Sequence, residues 1–155
     1  MAVDVLTEID IERPRDAVAT FAADPANAPA WYVNIKSAAW ISAPELAIGN
    51  SMAFRAQFLG RRLEYTYEIR DFVRGARLVM ATQDGPFAME TTYEWTDTPS
   101  GGTRMTLRNA GDPTGFARVA RPVMERAMRR ANQNDLRRLK QILEQSDDHG
   151  STSSS

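Results

Sequence analysis

The chain has 155 residues, 43% hydrophobic and 25% charged, and its 19 Lys and Arg against 20 Asp and Glu leave a formal charge of −1. That size and composition fit one soluble domain with its own core, and the charge balance leaves no field to attract nucleic acid or an anionic membrane. The absence of cysteine excludes disulfides, thiolate catalysis and cysteine-ligated metals.

Residues 3–11 alternate as a strand, with Val3, Val5, Thr7, Ile9 and Ile11 on one face. The start MAVDVLTEIDI lacks the basic and then apolar regions of a signal peptide. No apolar run approaches the ~20 residues of a spanning helix, so a cytoplasmic protein without integral membrane association is expected. In ERPRDAVATFAAD, Pro14 suits a first helical turn, and Val18, Phe21 and Ala22 make a short apolar face. Pro25 and Pro29 in DPANAPAW allow only a broken second helical turn, which delivers Trp31 and Tyr32.

From residue 35 onward the spacing predicts strands near 35–41, 50–58, 61–72, 76–83, 87–96 and 103–109. They are separated by breaks at Gly60, Gly75, 84–87 and 97–103. Connections this short permit antiparallel hairpins and exclude parallel crossovers. From about Thr114 to Gln145 the period becomes helical, with Phe116, Val119, Val123, Ala127, Ala131, Leu136, Leu139 and Ile142 along one side. A kink is expected at Pro122, which cannot donate to the carbonyl of Arg118. The expected fold is α+β: a seven-stranded antiparallel sheet, two short helices after the first strand, and a long C-terminal helix. It forms a single domain over 1–145, and the polar ending 146–155 reads as a disordered tail.

The strand faces sort cleanly. One carries Phe54, Ala56 and Phe58; Leu63, Tyr65, Tyr67 and Ile69; Leu78, Met80 and Thr82. It continues with Phe87, Met89, Thr91, Tyr93 and Trp95, then Met105, Leu107 and Asn109. The other, with Arg55, Gln57, Arg62, Glu64, Glu68, Arg70, Glu90, Glu94, Arg104 and Arg108, faces solvent. Seven strands at ~4.8 Å spacing are ~33 Å wide, whereas a helix with its side chains is ~10–12 Å across. The sheet must therefore curl around the helix. The small residues Ala120, Ala127 and Ala131 leave a wedge of space there unless Phe116, Met124 and Met128 fill it.

A strand ending in I-E-R-P, a short helix, the A-D-P-x-N-x-P-x-W turn, a β-meander containing G-G-T-R-M-T-L and a long last helix resemble the SRPBCC, or START-like, superfamily. The likeness covers residues 3–144 and points to the polyketide cyclase/dehydrase-like branch. It implies the helix-grip fold and a deep hydrophobic cavity between sheet and helix. It also implies a small hydrophobic ligand, such as a lipid, polyketide or isoprenoid, as partner. Members range from carriers to cyclases on one frame, so binding is the first expectation and a polyketide cyclase/aromatase-type enzyme the alternative. No cofactor is expected, and the chain reads as a monomer or weak homodimer.

The candidate ligand-binding residues are Trp31, Phe54, Phe58, Tyr65, Tyr67, Met80, Met89, Thr91, Tyr93, Met105, Asn109, Phe116, Met124 and Met128. The phenols of Tyr65, Tyr67 and Tyr93 would orient the polar end of an apolar ligand, or else bond backbone and one another as buried tyrosines do. Asn109 is either a ligand contact or a cap on the loop into the last helix. The methionines are an adaptable wall or plain core. Trp31 matches a tryptophan that the family places near the cavity mouth, or else packs against the meander.

Asn132, Asn134 and Asp135 read as solvent-exposed, although Asp135 falls near the apolar stripe, and the helix arginines 118, 121, 126, 129, 130, 137 and 138 as a solvated face. Catalysis has little signature. The only histidine, His149, lies in the tail. The strand carboxylates point outward, and no phosphate loop or metal-ligand cluster appears.

Overall fold

The apolar–polar alternation folds as seven strands: β1 (Val3–Ile11), β2 (Ile35–Trp40), β3 (Ser51–Phe58), β4 (Arg61–Val73), β5 (Arg77–Thr82), β6 (Ala88–Asp97) and β7 (Thr103–Asp112). Two short helices, α1 (Arg15–Ala23) and α2 (Ala28–Trp31), follow β1, and α3 (Arg121–Ser153) ends the chain. The computed structural model describes residues 2–82, 88–116 and 118–153, with side chains described as far as 145. Phe87 and the expected break at 84–87 lie outside the described residues.

The strands form one antiparallel sheet in the order β1-β7-β6-β5-β4-β3-β2. A two-residue hairpin at Leu59 and Gly60 joins β3 to β4, with φ of 49° and 78°. Positive φ at both positions gives the right-handed twist that antiparallel strands require. Gly111 in β7 answers a different need. A Cβ there would lie 2.2 Å from the carbonyl oxygen of Ala88, so the close approach of β6 and β7 admits only hydrogen. Register shifts at Ile69/Asp71 in β4 and at Ile35/Ser37 in β2 interrupt the ladder, and such bulges increase twist and bend a sheet.

The inner face is buried as expected, with Phe54, Leu63, Tyr67, Ile69, Leu78, Met80, Met89, Thr91, Tyr93, Trp95, Met105 and Leu107 in the core. On the outer face, Arg104 pairs with Asp10 at 2.8 Å and Arg108 with Asp4 at 2.9 Å. The Arg108 guanidinium holds the Asp4 carboxyl below its ordinary value.

The last helix departs from expectation in three ways. It begins at Arg121, after a 3-10 turn at Thr114–Phe116, so Pro122 sits in its first turn and kinks nothing. The carbonyl of Arg118 lies before the helix, and no helical bond is lost. The buried stripe runs through Met124, Met128, Asn132, Asp135, Leu136, Leu139 and Leu143, while Val123 is 59% exposed. A search for apolar residues alone skips the two polar positions and shifts the stripe. Finally, the helical backbone continues to Ser153, through most of the segment read as a disordered tail.

Candidate functional site

Between the sheet and α3 lies a cavity with about 90 Å³ of space open to the centre of a water molecule. One water needs ~10–15 Å³ on that measure, so the space holds more than a single solvent molecule. The β3–β4 hairpin supplies Phe54, Ala56, Phe58, Leu63, Tyr65 and Tyr67 to one wall. Met80, Thr91, Tyr93 and Asn109 of β5, β6 and β7 form the floor, and Met128, Ala131, Asn132 and Asp135 of α3 form the roof. Tyr32, Asn34 and Ile35 close the side where α2 meets β2. Asn34, Phe58 and Ala131 also line a depression on the outer surface and so mark the mouth.

Nine of the expected residues thus meet around one space: Phe54, Phe58, Tyr65, Tyr67, Met80, Thr91, Tyr93, Asn109 and Met128. Five do not border it. Trp31 is fully buried behind Tyr32 and Tyr93, with ring centroids 4.0 and 5.8 Å away, so it packs in the core and is not at the mouth. Met89, Met105 and Met124 are core residues. Phe116 packs edge-on to Phe58 at 5.8 Å, outside the cavity wall. Of the three small helix residues, Ala131 alone opens onto the cavity. Ala127 lines the outer depression, and Ala120 precedes the helix.

Tyr32, Tyr67 and Tyr93 line the cavity and are also hydrogen-bonded to neighbours. Tyr32 and Tyr93 are hydrogen-bonded through their hydroxyls. Thr91 donates to Asn109 Oδ1 at 2.6 Å and lies 2.7 Å from the Tyr67 hydroxyl. Because the single Thr91 hydroxyl proton goes to Asn109, Tyr67 is the donor to Thr91. Asn109 lies within β7, directly opposite Thr91, and caps no loop. Burial raises all four phenols above their ordinary value, Tyr67 to about 12. They are therefore neutral near pH 7 and act as hydrogen-bonding groups rather than bases.

Helix α3 adds what the sequence reading placed in solvent. Asn132 is 5% exposed and Asp135 2% exposed, whereas Asn134 is exposed. Asp135 Oδ1 accepts the Val33 backbone N–H at 2.9 Å, which ties the α2–β2 connection to the helix. Arg138 reinforces that tie by donating to the Ala30 carbonyl at 2.6 Å. Burial raises the Asp135 carboxyl from 3.8 to about 7, although the Val33 bond and the Arg138 charge pull the other way. It is a buried acid on a cavity wall, held above the usual carboxylate range by desolvation. Summed hydrophobicity hides it, and the signal available was its position seven residues after Met128 on the same helical face.

The strand carboxylates Glu64, Glu90 and Glu94 are exposed and Glu68 is half-buried. The seven arginines expected on the helix are exposed as well, Arg118 lying before α3 and the other six on it, and Arg121 pairs with Glu125 at 3.6 Å. Among the described residues no group of three or more His, Asp or Glu side chains assembles a metal site, and no helix is long and apolar enough to cross a membrane.

Among solved structures the fold is similar to TTHA0849 from Thermus thermophilus, with TM-score 0.77 and 17% identity over 92% of this chain and 98% of that one. It is also similar to the Zhui aromatase/cyclase from Streptomyces sp. R1128, with TM-score 0.74 and 13% identity over 93% and 94% of the two chains. A third likeness, to the di-domain ARO/CYC BexL of the BE-7585A biosynthetic pathway, has TM-score 0.71 and 17% identity, covering 91% of this chain and 46% of that one. Among curated proteins none matches in sequence. These likenesses establish the helix-grip fold, and a family model matches residues 2–144. The chain belongs to the family described as polyketide cyclase / dehydrase and lipid transport.

Proposed function

We propose that this protein binds a small, mostly apolar molecule, of lipid, polyketide or isoprenoid type, in the cavity between the sheet and α3. The observation that carries this reading is the composition of the wall: aromatic and methionine side chains surround the space, interrupted by a few converging polar groups. Met80 and Met128 are the unbranched wall elements that adapt to a larger occupant. A balanced net charge of −1 supports action without nucleic acid, and the same proposal takes the protein to work in the cytoplasm as a monomer or weak homodimer. Denaturing mass spectrometry of protein purified from its native host tests it. A co-purified apolar molecule is expected, and repeated absence, together with no uptake of apolar fluorescent probes, overturns the reading.

One observation favours a second reading, a cyclase/aromatase-type enzyme. Asp135 is a buried carboxyl raised to about 7 on the cavity wall, the property expected of a general acid or base. Neutral phenols stand around the same space; Tyr67 already donates to Thr91, but the Tyr32–Tyr93 pair uses one of its two protons internally, and the other would hydrogen-bond a carbonyl as it enolises. In this reading Asp135→Asn abolishes turnover of a polyketide surrogate while leaving its binding intact. Unchanged turnover removes Asp135 from any mechanism.

A further inference from the structure

The roof of the cavity holds a hydrogen-bonding group that the protein does not use. Asn132 borders the cavity, is 5% exposed, and its amide nitrogen has no hydrogen-bond partner among the described residues. A buried amide left unbonded costs free energy, and the nitrogen, the donor end of the Asn132 side chain, is the atom left without a partner. The indole nitrogens of Trp31 and Trp95 are also buried without a partner, but neither ring borders this space. Asp135 follows Asn132 by three residues on α3, which brings the two side chains together on one helix face.

Charge narrows what fits. Among the described residues no Lys, Arg or His lines the cavity, and Asp135 is the one carboxyl that does. A carboxylate or phosphate entering this space would be desolvated without a counter-ion and set beside an acid. An uncharged oxygen meets no such penalty: a carbonyl accepts from the Asn132 amide, and the protonated Asp135 carboxyl supplies a second donor.

We propose that Asn132 and Asp135 form a polar subsite that binds an uncharged, carbonyl-bearing ligand and rejects its carboxylate counterpart. This rests on the cavity being a binding site for an apolar molecule, and it assigns the chemical class of that molecule's polar end.

Three probes of matched shape test it by calorimetry at about pH 6: 2-acetonaphthone, 2-naphthoate and 2-isopropylnaphthalene. At that pH the Asp135 carboxyl, raised to about 7, is mostly protonated. The ketone is expected to bind at least about tenfold more tightly than the carboxylate. Asn132→Ala should weaken ketone binding by about fivefold to tenfold, the range of one lost buried hydrogen bond. It should leave isopropylnaphthalene within about twofold. Asn132→Ser, which keeps a donor, should lose less than Asn132→Ala and decides the matter should the alanine variant fold poorly.

Equal affinity for ketone and carboxylate, or an unchanged ketone affinity in both variants, overturns the subsite while isopropylnaphthalene binding keeps the cavity reading intact. Failure of wild-type protein to take up any of the three probes overturns both.

Discussion

Replacing Asp135 by Asn should stabilise the protein in a way that depends on pH. The carboxyl is 2% exposed and burial raises it from 3.8 to about 7. Below about pH 4 Asp135 is protonated in both folded and unfolded chains and makes no difference. Between about pH 4 and 7 the unfolded chain ionises first, so the folded state loses stability as pH rises. Above about 7 both states are ionised and the loss is constant. At ~1.36 kcal/mol per pH unit over that interval, the full penalty is about 4 kcal/mol.

Asparagine keeps the shape and an oxygen to accept the Val33 N–H, which bonds Asp135 Oδ1 at 2.9 Å, but it never ionises. Asp135→Asn should therefore match wild type near pH 4 and exceed it by about 4 kcal/mol at pH 8, or ~8–16 °C in thermal midpoint for a chain of this size. Urea denaturation of both proteins from pH 4 to 8.5 measures it. Asp4, Asp10 and Glu144 are shifted downward and oppose the trend, but both proteins share them and they cancel in the difference. A difference that is flat across this range refutes the account of Asp135 as an acid raised by burial. A stabilised variant that has also lost function would indicate that the chain retains a destabilising group for what it does in the cavity.

Gly111→Ala should lose at least ~2 kcal/mol, as overpacking does, because the new Cβ would sit 2.2 Å from the Ala88 carbonyl oxygen and 2.9 Å from Met89 Cα. Urea denaturation within ~0.5 kcal/mol of wild type would show that β6 and β7 can separate at little cost. Ala131→Trp, placed at the mouth shared by the cavity and the outer depression, should weaken uptake of an apolar naphthalene probe by more than about tenfold, ~1.4 kcal/mol. Unchanged uptake by a folded variant would place the mouth elsewhere. Tyr67→Phe removes one donor from Thr91, which keeps its bond to Asn109, and should cost ~1 kcal/mol by urea denaturation. A loss above ~3 kcal/mol would mean the hydroxyl supports more than this chain of bonds.

The strands and their buried faces were legible in the sequence because a strand's side chains alternate with a period of two. Leu63, Tyr67 and Ile69 in β4 point inward, as their spacing predicts. Width alone, seven strands against one helix, predicted the curl and the wedge beneath α3. A helix is less legible because three or four residues per turn leave its phase open. Following apolar residues alone put Val123 inside and Asp135 outside, and treating Thr114 as the start put Pro122 in mid-helix.

Apolar spacing along the chain was enough to define the elements, the antiparallel sheet and the aromatic face that lines the cavity. Which residues border the space depended on packing in three dimensions, which leaves Trp31, Met105 and Met124 in solid core and brings in Tyr32, Asn132 and Asp135. Hydrophobic patterning identifies a buried position by its apolar side chain. A polar group is buried only because its neighbours in space shield it from water, as Val33 and the wall of tyrosines shield Asp135, and those neighbours lie on other elements, Val33 being 102 residues away.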